Sequence, residues 1–240
     1  MESIFNLLLG LHITAGSISL ILFWIPVFVK KRKGLHTQVG RVYVYAMWIV
    51  VISAAILCGL NLFRDRMIMA AFLGVISVLT AHPLWYAIAI LKYKRELPLR
   101  VIRIRQVLSA VLFVGSLGIT IWSIALGLQG MAILLLIFGI IGMVSARPLF
   151  VKAAKAQASH HWLTDHLDGM IGTGIAAYTA FLAFGGRVLM SDLFSEYLMV
   201  IPWVAPTIIG TIIIRRMKKR YAPKKSTIAP TTPPVPVASH

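Results

Sequence analysis

Acidic side chains are scarce in this 240-residue chain: 7 Asp and Glu stand against 24 Lys and Arg. Charged residues of both signs make up only 13% of the sequence, while 59% is hydrophobic. That leaves too little polar surface to cover a water-soluble globule, so a soluble domain is excluded and a membrane protein is indicated. Cysteine is nearly absent. Cys58 stands alone, which excludes an internal disulfide and any zinc motif built on cysteine pairs. No glycine-rich phosphate loop and no nucleophile elbow occurs. The last apolar run has no lysine for a retinal Schiff base, and no run carries two histidines a leaflet apart, as di-haem four-helix cytochromes require. A basic leader is missing too. The chain begins Met-Glu-Ser, and its first apolar run is too long for a cleavable signal, so that run is expected to stay as a helix.

What is present is a series of charge-free runs. About 20 apolar residues span roughly 30 Å of hydrocarbon, and Ser3–Val29, Val42–Phe63 and Met67–Leu91 each supply one crossing. Gln106–Ala146 is also uncharged, but as one rod it would reach about 60 Å, twice the bilayer. It must fold back, and Gly127-Leu-Gln-Gly130 is the expected turn. Gly169–Gly186 and Tyr197–Ile214 complete an all-α polytopic membrane protein with seven transmembrane helices. Assigning alternate loops puts 21 of the 24 Lys and Arg on one side and only Arg64, Arg66 and Arg187 on the other. Such a split follows the positive-inside rule, with the amino end outside and the carboxyl end cytoplasmic. The net charge of +17 then reflects topology and attraction to anionic lipid headgroups on the cytoplasmic face, not nucleic acid. Residues 1–221 form the transmembrane domain. Residues 222–240, rich in proline and threonine, are expected to be a disordered cytoplasmic tail.

Ionisable groups within hydrocarbon are costly and mark function by default. His12 shares a helical face with Ala15, Gly16 and Ser19. That face reads either as small-residue packing, with a neutral histidine bonded to a neighbour, or as a ligand or proton-handling position. His82 precedes Pro83, where the ring removes a backbone hydrogen bond, and is expected to satisfy the freed carbonyl. In SHHWLTDHLDGM, from Ser159, Thr164 or Asp165 is the expected cap, and Asp165 and Asp168 suit the positive end of the helix dipole. The histidines of that stretch are left over. His161 and Asp165 are one turn apart, and His166 lies on a separate face with Met170, Thr173 and Ala177. Depth decides which can cooperate: His12 lies roughly 25 Å from the cytoplasmic end of its helix, His82 roughly 15 Å and His166 about 5 Å. Only His36, in the loop KGLHTQVGR, shares a level with His160, His161 and His166. The candidate haem or zinc site is therefore His36 and His166 with His161 and Asp165. His12 is a separate polar site, with Tyr178 and Thr179 near its level.

The phrases LHITAGSISL, KGLHTQVGRVYVYAM, WLTDHLDGMIGTGIAAYTAF and WVAPTIIGTIII together resemble a family of uncharacterised bacterial multi-pass membrane proteins, classed as a domain of unknown function. The likeness runs to about Arg216. It implies a seven-helix cytoplasmic-membrane protein and no established reaction. It also implies that His12, His36, His166, Tyr178 and Thr179 are the recurring polar positions, whereas His82 and the His160–His161 pair are not. Three functions stay open: a membrane protein holding a metal or haem through cytoplasmic-side histidines; a zinc-dependent hydrolase similar to seven-helix receptor-like and ceramidase-like enzymes; and a transporter or membrane-complex assembly factor. The hydrolase requires Asp165 or Asp168 beside the histidines and an open position for water.

Overall fold

The computed structural model describes residues 2–29, 34–129, 131–185 and 201–221. Among these every regular element is helical: α1 (Glu2–Phe28), α2 (Leu35–Leu62), α3 (Met67–Ala89), α4 (Leu99–Ala125), α5 (Met131–Ser145), the short α6 (Ala153–Ala158), α7 (Trp162–Ala180) and α8 (Ile201–Tyr221). A 3-10 turn, Ile90–Lys92, extends α3; another, Arg147–Phe150, follows α5; and a π-helical turn, Phe181–Gly185, extends α7. Five stretches are long and apolar enough to cross a membrane: Glu2–Phe28, Leu35–Leu62, Met67–Lys92, Leu99–Ala125 and Met131–Phe150. Their outward faces carry large apolar side chains such as Leu7, Ile21, Ile52, Val114 and Val144, a surface suited to lipid and not to water.

Local chemistry sets the breaks. After α2 the chain reverses through Asp65, held at φ 54, and the buried Asn61 donates its amide to the Leu57 carbonyl at 2.7 Å. Pro98, extended at ψ 144, starts α4 where no amide is needed. The long uncharged run does fold back at its glycine: Gly127 and Leu128 take φ 74 and 56, and Ser123 Oγ ties the two helices by donating to the Ala132 carbonyl at 2.5 Å. α4 and α5 then come close because Gly139 and Gly142 leave room for Thr120 and Ser116.

Neighbouring helices run antiparallel. His12 pairs with Ser53 while His36 pairs with Pro26; His82 pairs with Ser109; Ala87 pairs with His166; and Asp168 pairs with Lys218. α1 packs on α2, α2 on α3, α3 on α7, and α7 back on α1, closing a ring of four helices. The α4–α5 hairpin leans on α3 from outside the ring, and α8 leans on α7. Inside the ring Phe23, Tyr43, Met47, Leu84 and Ile171 form one core; between α3 and the hairpin Phe72, Leu112, Leu135 and Phe138 form another. The antiparallel alternation collects the Lys and Arg near Tyr93, Arg105, Arg147 and Lys218 at one end of the bundle, here called the basic end.

Two boundaries differ from the sequence reading. α2 begins at Leu35 and not near Val42, so His36 lies in its first turn and not in a loop. α7 begins at Trp162 with His161 as its N-cap, about one turn before the start expected from a cap at Thr164 or Asp165. Polar residues in a first helical turn satisfy backbone amides and still read as loop on hydropathy alone. The expected tail over 222–240, the positions Lys30, Lys31, Arg32, Lys33, Gly130 and Arg187, and the start of the last expected crossing at Tyr197 lie outside the described residues.

Candidate functional site

The deepest polar contact of the ring fixes its register. Tyr43 of α2 and Thr173 of α7, both buried, share a hydrogen bond of 2.8 Å across the ring. α2 and α7 are each antiparallel to α1 and hence parallel to one another. His36 and His166 each lie seven residues toward the basic end of that pair. Seven residues are two turns, about 10 Å along the axis and within about 20° of the same face. The two histidines therefore occupy one level on opposite helices of the ring.

Each is held by a carbonyl of an adjacent helix. His36 Nδ1 lies 3.1 Å from the Pro26 carbonyl in the last turn of α1, and His166 Nδ1 lies 2.9 Å from the Ala87 carbonyl in the last turn of α3. A carbonyl oxygen only accepts, so both Nδ1 atoms donate. This is the arrangement found for histidines that ligate a metal through Nε2: the other nitrogen donates to a fixed acceptor, which sets tautomer and ring plane.

His161 and Asp165 do not join them. His161 is the N-cap of α7, its Nδ1 accepting from the Thr164 amide at 3.4 Å, in place of the cap expected at Thr164 or Asp165. Asp165 is engaged elsewhere: its Oδ2 accepts from His160 Nδ1 at 3.0 Å and from the Tyr86 hydroxyl at 3.2 Å. His160, whose side chain is only 2% exposed, also donates Nε2–H to the Tyr93 carbonyl at 2.7 Å. It thus bolts the end of α3 to the start of α7. The Tyr86 ring carries the Arg105 guanidinium on its face, 3.7 Å from the centroid. Beside this cluster Lys218 pairs with Asp168 at 2.5 Å. Among the described residues no group of three His, Cys, Asp or Glu is arranged to hold a metal ion.

The second expected polar site divides as well. His12 bonds Ser53 on α2 at 2.9 Å. Ser53 already donates its proton to the Ile49 carbonyl at 2.6 Å, so it accepts from His12. The Ala15, Gly16 and Ser19 face beside His12 is the α1–α2 packing face: Ala15 and Ser19 are buried and Gly16 sits against Val50. Tyr178 lies further along α1, donating to the Leu20 carbonyl at 2.7 Å and accepting from Trp24 Nε1 at 2.5 Å. Eight residues separate His12 from Leu20, about 12 Å of helix, so Tyr178 and His12 do not share a level. Thr179 is buried, and its hydroxyl has no partner among the described residues. His82 does not serve the carbonyl freed by Pro83; its Nε2 meets Ser109 of α4 at 3.3 Å and joins the ring to the hairpin.

Tyr43 and Arg105 are polar residues that sequence reasoning missed, and His160, weighed there only as a histidine at the level of His36, holds Asp165 and the Tyr93 carbonyl. Tyr43 reads as one aromatic among many; its only signal is the two-turn spacing from His36, matched by Thr173 and His166. The fold and these contacts define an all-helical protein with apolar membrane-length helices and a polar end. No protein-family model, curated protein or solved structure matches the chain.

Proposed function

We propose that this chain is a seven-helix inner-membrane protein that binds haem between His36 and His166 at the cytoplasmic end of its four-helix ring. The observation that carries the reading is the shared level of the two histidines, each with Nδ1 donating to a carbonyl of an adjacent helix. His36 and His166 would hold the iron, and imidazole is a usual haem ligand. Zinc takes three or four protein ligands, and the donor set here offers a pair. Bound haem would supply one-electron transfer; the chain's own residues fix the imidazoles through the Pro26 and Ala87 carbonyls, and the core of the ring is apolar and aromatic, with Phe23, Trp24, Leu84 and Met170. A dry surround of this kind governs potential and access.

Several features support the topology. The helices alternate in direction through α7 and α8, and the described basic residues gather at one end, which the positive-inside rule assigns to the cytoplasm. α7 and α8 are then the sixth and seventh crossings, with the amino end outside. Resemblance to the uncharacterised bacterial family points the same way and favours His36 and His166 over His82 and His160.

The test is an absorbance spectrum and metal analysis of the protein purified in detergent without chelator, repeated after haem addition. A Soret band that disappears in both His36→Ala and His166→Ala, and persists in His82→Ala, is the expected result. Stoichiometric zinc in place of haem would favour the hydrolase. Neither species before or after reconstitution would leave the transporter or assembly-factor reading and overturn this one.

A further inference from the structure

A second site, independent of the haem reading, lies on the outer side of α3 at the basic end. Arg105 of α4 is half-buried, its guanidinium carbon over the Tyr86 ring at 3.7 Å from the centroid. Its Nε is buried without an acceptor, and no described residue accepts a hydrogen bond from either of its terminal nitrogens. Arg147, exposed in the 3-10 turn after α5, is within electrostatic reach of it and likewise donates to no described residue. The turn carrying Arg147 is fixed in place by the neighbour of Arg105: Gln106 donates its side-chain amide to the Val151 carbonyl at 3.0 Å.

Two guanidinium groups held near each other repel, and burying an unsatisfied donor carries its full desolvation cost. Two carboxylates are also within electrostatic reach of Arg105. Asp165 already has two donors, and Asp168 has Lys218 on Oδ2, though its Oδ1 is buried without a partner. Three cations, Arg105, Arg147 and Lys218, face two carboxylates, so positive charge is left over. The missing component is an anion with several acceptor oxygens. We infer that Arg105 and Arg147 together bind a phosphate group, carried by an anionic phospholipid headgroup or by a soluble phosphate. The planar fork of arginine matches phosphate oxygens two at a time. The contact with the Tyr86 ring already holds the Arg105 guanidinium in place, so less side-chain freedom is lost on binding.

Full-length protein, Arg105→Gln, Arg147→Gln and the exposed same-helix control Arg103→Gln are washed in detergent, then assayed for retained phospholipid by native mass spectrometry. In parallel, each is placed in phosphatidylcholine nanodiscs and its thermal midpoint followed against inorganic phosphate. Loss of charge-assisted hydrogen bonds should weaken binding by about ten- to a hundredfold in the Arg105 and Arg147 variants and leave Arg103→Gln unchanged. Retained phosphatidylglycerol or cardiolipin with no response to inorganic phosphate identifies a lipid headgroup; a response to inorganic phosphate identifies a soluble ligand. If the natural chain shows neither, or Arg105→Gln and Arg147→Gln bind as well as Arg103→Gln, the inference fails, and Arg105 simply answers Asp168 through solvent. Because Arg147 is exposed, its variant keeps the test decisive should Arg105→Gln not fold.

Discussion

Gly169→Ala tests whether α3 and α7 are as close as the ring requires. A Cβ at Gly169 would sit 2.5 Å from the Ala87 Cβ and 2.7 Å from the Pro83 carbonyl oxygen, against 3.4–4 Å for ordinary contact. Neither neighbour is the end of a flexible side chain. The helices must part by about 1 Å, and overpacking of that order costs about 1–3 kcal/mol. The His166–Ala87 bond is one turn away and would stretch with them. Gly172, three residues on, is the internal control, since an added Cβ there meets nothing within 4 Å. Both substitutions gain similar helix propensity, so the difference between them isolates the contact. Reversible unfolding in mixed micelles should show Gly169→Ala about ten- to a hundredfold less favourably folded than Gly172→Ala. Equal transition midpoints for the two would refute the close approach of α3 and α7.

Thr173→Val keeps the shape of the side chain but strands the Tyr43 hydroxyl, and should cost about 1–3 kcal/mol in the same assay, with Tyr43→Phe in that background restoring part of the loss. Asp165→Asn should leave the α7 cap in place, because His161 supplies it, while removing a charged acceptor from His160 and Tyr86. The expected loss is about 1.5–3 kcal/mol with unchanged helical circular dichroism, and a fall in helix content would show that Asp165 is the cap after all. A cysteine at Gln129, exposed beside the α4–α5 turn, in a Cys58→Ser background, should react with an impermeant thiol reagent added outside intact cells. Complete protection there would contradict the proposed orientation.

Five membrane-length apolar helices were legible because they depend on partition into hydrocarbon, and a charge-free run carries that information in composition alone. The fold-back at Gly127 was legible because 1.5 Å per residue leaves one rod too long for the bilayer. Small residues beside His12 also announced a packing face correctly. What stayed hidden were contacts between segments far apart in the chain. His160 is bonded to Tyr93, 67 residues away, and nothing local distinguishes it from its neighbour His161, which ended up as a cap. Arg105 counted as one more basic residue flanking a helix until Tyr86 was placed under it. The helix starts at α2 and α7 came earlier than expected for a related reason: His36 bonds back to the Pro26 carbonyl of α1 and His161 caps α7, neither of which hydropathy records.

The four-helix ring has an order of manufacture built into it. Tyr43 and Thr173 are 130 residues apart, as are His36 and His166. At about 5–20 residues per second, ribosomal synthesis leaves the fourth wall missing for roughly 6–26 seconds after α2 has formed. Within that interval, once α3 is made, α1, α2 and α3 form an open trough, with the Tyr43 hydroxyl and the His36 imidazole facing whatever lipid or protein lies beside the nascent chain. Arrival of α7 shuts the trough and supplies its remaining hydroxyl and imidazole in one step. A ribosome stalled or a message cut after α5 would thus leave a lasting three-walled fragment with its polar groups turned to the bilayer, a form that the membrane quality-control proteases can distinguish from the finished protein.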